Sequence, residues 1–249
     1  MVFRVISKLD IKPPFVVKGI QLEGLRKIGD PKKIAIELYR NGIDEIIYQD
    51  IVSTLYSKPS IYDLVSQTAE EVFLPLTVGG GVSELSHAEI LIRHGADKIC
   101  VNSAAVKNHK LLTKISSAIG TQALVLGVEA KKSGKDWIHM SSTGRENSGY
   151  SVSDWIRIGE DNGVGEILIT SVDNDGTRKG FDESMLEKMR EVSNLPMIIQ
   201  GGFSKPVDAF RAFALGFDGV VISSCFQIDN LKPSEIKKFL SSKGVEIRL

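Results

Sequence analysis

Cysteine is scarce in this chain: there are two, Cys100 and Cys225, far apart in apolar runs and without CxxC spacing. That argues against a disulfide framework or a thiolate metal site and fits a reducing, cytoplasmic setting. Excess charge of one sign is also missing. The 31 Lys+Arg balance the 31 Asp+Glu, so nothing points to nucleic acid or to a membrane surface. No run approaches the roughly 18–20 apolar residues that a bilayer span needs. The start, MVFRVISKLDIK, returns to charge too soon for a signal peptide. His87, His94, His109 and His139 fall on expected helices or in a hairpin region at 131–140, form no ligand-spaced pair and are expected on the surface. No metal or other cofactor is expected.

What the chain does have is a long internal repeat. NGIDEIIYQDIV from Asn41 matches NGVGEILITSVD from Asn162, at an offset of 121 residues. The stretches beginning LPLTVGGGV at Leu74 and LPMIIQGGF at Leu195 match at the same offset. This is two half-length copies, not a short solenoid repeat. Each half reads as four strand–helix units. The strands are expected at 4–9, 45–50, 75–78, 98–102, 123–128, 166–171, 196–200 and 219–223. Eight alternating units in 249 residues predict a single (β/α)8 TIM barrel over 1–249 with an internal two-fold half-barrel repeat. A doubly wound open sheet is the alternative, and the even spacing favours closure.

Chemistry in such barrels gathers at the C-terminal strand ends. Asp10 ends strand 1, Asp50 strand 2 and Glu129 strand 5. Paired glycines let backbone N–H groups approach a ligand with no Cβ in the way. Two such sets stand at repeat-related positions. One is Gly80 and Gly81 with Asn102 and Ser103. The other is Asp175, Gly176 and Thr177 with Gly201, Gly202, Ser223 and Ser224. They are expected to hold a small molecule with two phosphates across the barrel mouth, although such glycines also serve simple tight turns. Asp10 and Glu129 would flank that ligand as a general acid/base pair. Otherwise they are strand-end carboxylates held by a lysine such as Lys12 or Lys131. Trp137 and Trp155 are expected to pack, and Lys131, Lys132 and Lys135 to be solvated.

The motifs LDIK…VVKG, GDP, TVGGG, GADKICVNSAA, GEILITSVDNDGT and GVEIRL together resemble the HisF family, the cyclase subunit of imidazole glycerol phosphate synthase. The resemblance covers essentially the whole chain. It implies a barrel that takes ammonia from a HisH-type glutaminase. The ammonia is condensed with a phosphoribulosyl-formimino carboxamide ribotide, giving imidazole glycerol phosphate and aminoimidazole carboxamide ribotide. It places the catalytic pair on Asp10 and Glu129, a loop lysine on Lys18, and phosphate ligands on Gly81, Asn102, Ser103, Asp175, Gly176, Gly202, Ser223 and Ser224. A charged ring where ammonia enters falls on Arg4, Glu45, Lys98 and Glu166, and a glutaminase-binding face on Asp97. The ring residues lie at or near strand starts, where they would equally cap the barrel floor.

Three positions depart from the family pattern. Glu129 stands for an aspartate, Pro13-Pro14-Phe15 for Asp-Gly-Arg, and Gln200 for a serine. The stretches VKGIQLEGLR and QDIVSTLYSKPS also resemble a HisF-related branch found beside surface-polysaccharide genes. There the barrel is thought to activate a glutaminase and pass ammonia to a separate enzyme that amidates a sugar. A related sugar-isomerase barrel shares the strand-1 aspartate and both phosphate sites. The charged ring argues against it, because an isomerase needs no ammonia entrance.

Overall fold

The computed structural model describes residues 2–53 and 61–248. Residues 54–60, within QDIVSTLYSKPS, lie outside it. Eight parallel strands close a barrel: β1 (Arg4–Lys12), β4 (Glu45–Asp50), β5 (Leu76–Gly79), β6 (Lys98–Val101), β7 (Leu124–Ser133), β10 (Glu166–Ser171), β11 (Met197–Gln200) and β12 (Gly219–Ile222). The remaining strands form two hairpins on the upper rim. β2 (Phe15–Ile20) and β3 (Glu23–Gly29) follow β1, and β8 (Asp136–Ser141) and β9 (Glu146–Ser151) follow β7.

Strand alternation sorts the core into two layers. Ile6, Ile47, Cys100, Val125, Leu168, Ile198 and Val221 fill the barrel interior. The intervening residues, such as Val5, Leu9, Ile46 and Leu126, face the helices. Both cysteines are buried. The helices start on defined caps. In the GDP motif, Asp30 accepts a hydrogen bond from the Lys33 N–H at 2.9 Å, and Pro31 opens the helix Pro31–Arg40.

The repeat is visible in the backbone. At the floor, Asp97 accepts from the Leu76 N–H at 2.8 Å, and Asp218 accepts from the Met197 N–H at 2.8 Å. At the rim, Lys12 pairs with Phe15 where β1 turns into β2, and Ser133 with Asp136 where β7 turns into β8, again 121 residues on. The first hairpin as paired strands was not foreseen; the second was anticipated only as a 131–140 hairpin region. Pro13 and Pro14 occupy the turn between β1 and β2, so their stiffness acts there and not at the tip of the β2–β3 hairpin, which is Gln21–Leu22. No described helix is long and apolar enough to cross a membrane.

Candidate active site

On β1 the inward column above the floor reads Ile6, Lys8, Asp10, set by the two-residue strand period. Asp10 is buried, and each of its carboxylate oxygens meets a different lysine. Lys18 Nζ stands 3.2 Å from Oδ2 and Lys8 Nζ 3.5 Å from Oδ1. Lys18 reaches in from β2 and also binds Asp175 at 3.0 Å. Burial alone would raise the Asp10 carboxyl, but the ammonium groups of Lys18 and Lys8 outweigh it and hold the group below its ordinary range. Lys12 is exposed, so the lysines that hold Asp10 are not the one the sequence suggested.

Glu129, on β7, is partly buried and accepts the Gly144 N–H at 2.8 Å. Burial pushes its carboxyl up, and the Gly144 N–H and Lys8 offset this only in part. Lys131 is exposed and plays no part. The two carboxyl groups are thus displaced in opposite directions.

Lys8 and Glu129 share a cavity of about 400 Å³ that opens upward to Gly80, Gly81, Asn102 and Ser103. Asn102 Oδ1 is buried without a hydrogen-bond partner. A second, smaller recess is lined by Asp175, Gly176, Gly201, Gly202, Ser223 and Ser224. The two openings sit over β5–β6 and β11–β12, opposite one another in strand order. Asn102 and Ser223, at matching repeat positions, share an unusual backbone (φ −135°, ψ −92° and φ −122°, ψ −74°) as each enters a short helix.

The glycines have a backbone reason of their own. Gly80 and Gly201 adopt φ of +97° and +98°. A Cβ on Gly80 would strike the Asp50 carbonyl, and one on Gly201 would lie 2.6 Å from the Ser171 carbonyl. A Cβ on Gly202 would strike the Gly180 carbonyl. These positions require glycine with or without a ligand, and it is the openings themselves that offer room for one.

Other candidate residues are engaged by the chain. Asp50 is fully buried, and its Oδ1 accepts the Val52 and Ser53 N–H groups at 3.0 and 2.9 Å. Thr177 donates to the Asn174 carbonyl at 2.8 Å within its turn. The Asp175 carboxylate faces Lys18, and Gln200 donates to it at 3.5 Å.

Both hairpins lean over the mouth. The Gln21 N–H donates to the Asp175 carbonyl at 2.8 Å, and the Ser142 N–H donates to Ser103 Oγ at 2.8 Å. Their tips meet where Gly144 passes close to Leu22. Gln21 and Leu22 have positive φ, as do their repeat partners Ser142 and Thr143.

At the opposite end, Arg4, Glu45, Lys98 and Glu166 form a closed ring. Arg4 binds Glu45 at 2.8 Å and Glu166 at 2.5 Å, while Lys98 binds Glu45 at 3.3 Å and Glu166 at 2.8 Å. Every carboxylate oxygen meets one cation.

His139 overturns the surface expectation. It is fully buried and stacks on Trp155 with centroids 4.7 Å apart, and burial pushes it down to about 3. The second hairpin folds back on the helix Val152–Asp161, which buries that face. Trp155 packs in the core, as expected. Lys8, Gly144 and Ser142 were not foreseen. A lysine two residues before Asp10 in an apolar strand, and 121 before Glu129, was the available signal for Lys8.

Fold and site together define a (β/α)8 barrel with two rim openings, a carboxylate pair above its core and a charged ring beneath it. Residues 4–232 match the family model described as histidine biosynthesis protein. The chain is 46% identical over 203 residues to the imidazole glycerol phosphate synthase subunit HisF of Legionella pneumophila (81% of this chain, 96% of that one). It is 39% identical over 246 residues to HisF of Pyrococcus furiosus (99% and 98%), and 37% identical over 246 residues to that of a Thermotoga species (99% and 97%). The chain belongs to the histidine biosynthesis protein family, among its HisF members.

Proposed function

We propose that the chain is the cyclase subunit of an imidazole glycerol phosphate synthase, fed with ammonia by a HisH-type glutaminase. The observation that carries this reading is a pair of carboxyl groups displaced in opposite directions, Glu129 in the cavity wall and Asp10 3.5 Å from Lys8, which lines the same cavity. Asp10, whose surroundings favour the ionised form, serves as base and Glu129, whose surroundings favour the protonated form, as acid across the ring being closed, the division of labour that unequal environments create. The two rim openings take the phosphates of the ribotide, with Asn102, Ser103, Ser224 and the Ser223 N–H donating. Asp175 acts through Lys18, since a carboxylate would repel a phosphate directly. Glu129 carries one methylene more than aspartate, and the Gly144 N–H fixes where that extra reach goes.

Ammonia enters through the ring of Arg4, Glu45, Lys98 and Glu166, and the glutaminase docks on the floor beside Asp97. The Asp97 carboxylate also ties Leu76, so its substitution tests docking only if the strand start stays intact.

The test supplies the full-length barrel with ribotide and either ammonium salt or glutamine plus its cognate glutaminase. Cyclisation in both arms, with glutaminase activity raised by the barrel, is expected. Wild type that turns over no ribotide yet supports amidation of a sugar by a separate enzyme would replace this reading with the ammonia-conduit one.

A further inference from the structure

Among the charged side chains that line the cavity, Lys8 is buried, Lys107 and Glu146 are exposed, and Lys8 has no catalytic role above. Lys8 is 6% exposed, stands 3.5 Å from Asp10, and lines the same cavity as Glu129. Its backbone is clamped, because Ser223 Oγ and Gln227 Nε2 both donate to the Lys8 carbonyl at 2.8 Å. A buried ammonium needs countercharge. Within the first half-barrel Asp10 supplies it, but Asp10 is shared with Lys18. The second half-barrel supplies Glu129, at the position that matches Lys8 in the repeat. Electrostatically Lys8 acts on both carboxylates.

Resting on the acid/base reading above, we propose that Lys8 is a positioning residue whose ammonium couples Asp10 of one half-barrel to Glu129 of the other, so that a glutamate works as the acid. Without Lys8, Glu129 would sit in an apolar wall facing the Asp10 charge and would give up its proton too reluctantly. With Lys8 the carboxylate left after proton donation has a cation in the same cavity. The groups facing this centre are Asp10 on β1, Lys18 on β2, the Cys100 thiol on β6, Glu129 on β7 and Asp175 beyond β10. Burial pushes Cys100 up to about 12, so its thiol does not titrate with the carboxylates.

The test is a carbon-13 NMR titration of the Glu129 side chain in the full-length chain, assigned by its loss in Glu129→Gln. Lys8→Met and Lys8→Gln should move the Glu129 titration to higher pH by about one unit, the low end of what a nearby opposite charge produces. Lys8→Arg should restore most of the wild-type value. Ribotide turnover should fall in kcat with KM little changed. A Glu129 titration that stays at the wild-type pH in a folded Lys8→Met or Lys8→Gln variant would overturn the proposal, and so would an effect confined to KM, which would mark Lys8 as a substrate anchor. The titration needs no turnover, so it decides the coupling even if the cyclase reading fails.

Discussion

The inward column of β1 reads Arg4, Ile6, Lys8, Asp10. The same positions on β7 read Val125, Gly127, Glu129, Lys131. Around these columns the two half-barrels keep the same devices: Gly80 and Gly201 at φ +97° and +98°, Asn102 and Ser223 in one backbone conformation, and Asp97 and Asp218 pinning strand starts. The hairpins match as well, but Lys18 of the first reaches Asp10, while its counterpart His139 stacks on Trp155. The backbone is symmetric and the charges are not. Two equal phosphate ends suit a symmetric frame, whereas proton transfer between an acid and a base needs inequality.

The sharpest way to break the comparison is at Glu129. Glu129→Gln should cut ammonium-driven ribotide turnover about 10²- to 10⁴-fold, the usual size of a general acid/base contribution. Glu129→Asp should keep the rate or raise it. Steady-state kinetics on both variants checks this; an equal loss in each would mean that carboxylate chemistry is not the issue.

The ring offers the next largest effect. Lys98→Ala leaves Glu45 and Glu166 sharing Arg4 alone. Breaking a buried pair costs about 3–5 kcal/mol, and the partial exposure here reduces that to about 2 kcal/mol. Urea unfolding should show the loss. Glutamine-fed output should fall more than ammonium-fed output.

The two halves should also differ in how stability follows pH. The Asp10 carboxyl is held low, so its contribution is present above the ordinary carboxylate range and is lost as pH falls through and below about 4. The Glu129 carboxyl is held high, so the fold favours its protonated form and loses stability as pH rises above about 4.3. Asp10→Asn should therefore lessen acid destabilisation, and Glu129→Gln should gain stability at neutral relative to acidic pH. Thermal unfolding from pH 3 to 8 (about one unit per step) reads both signs.

The smallest effect lies at the hairpin tips. Thr143 has φ +61°, which costs a β-branched residue about 1–2 kcal/mol. Thr143→Asn should stabilise by about 1 kcal/mol, read from the denaturation midpoint.

Much of the frame was legible in the sequence, because the barrel has a period. Six-residue strands such as Glu45–Asp50 and Glu166–Ser171 fall where the apolar runs place them. Strand β7 runs on to Ser133, beyond the expected 128, because its end pairs with β8 in a hairpin. Short polar runs such as Glu146–Ser151 carried little signal as strands, since their partners are fixed by register and not by hydrophobic pattern. Within the site, carboxylates at strand ends were legible, but their partners were not. Lys18 meets Asp175 across 157 residues of chain, and the Gly144 N–H reaches Glu129 only because a turn folds inward. His139 was misjudged because burial of a hairpin face depends on the helix that covers it.

On the proposed reading, Asp10 and Glu129, one from each half, form a single proton-transfer pair. That pairing is tested most directly by ribotide turnover with ammonium salt, without any partner, in wild type and Asp10→Asn, with ligand binding followed by calorimetry. The account predicts turnover in wild type, its near-complete loss in Asp10→Asn, and retained affinity for the bis-phosphate ligand. Wild-type turnover that Asp10→Asn leaves untouched would contradict it.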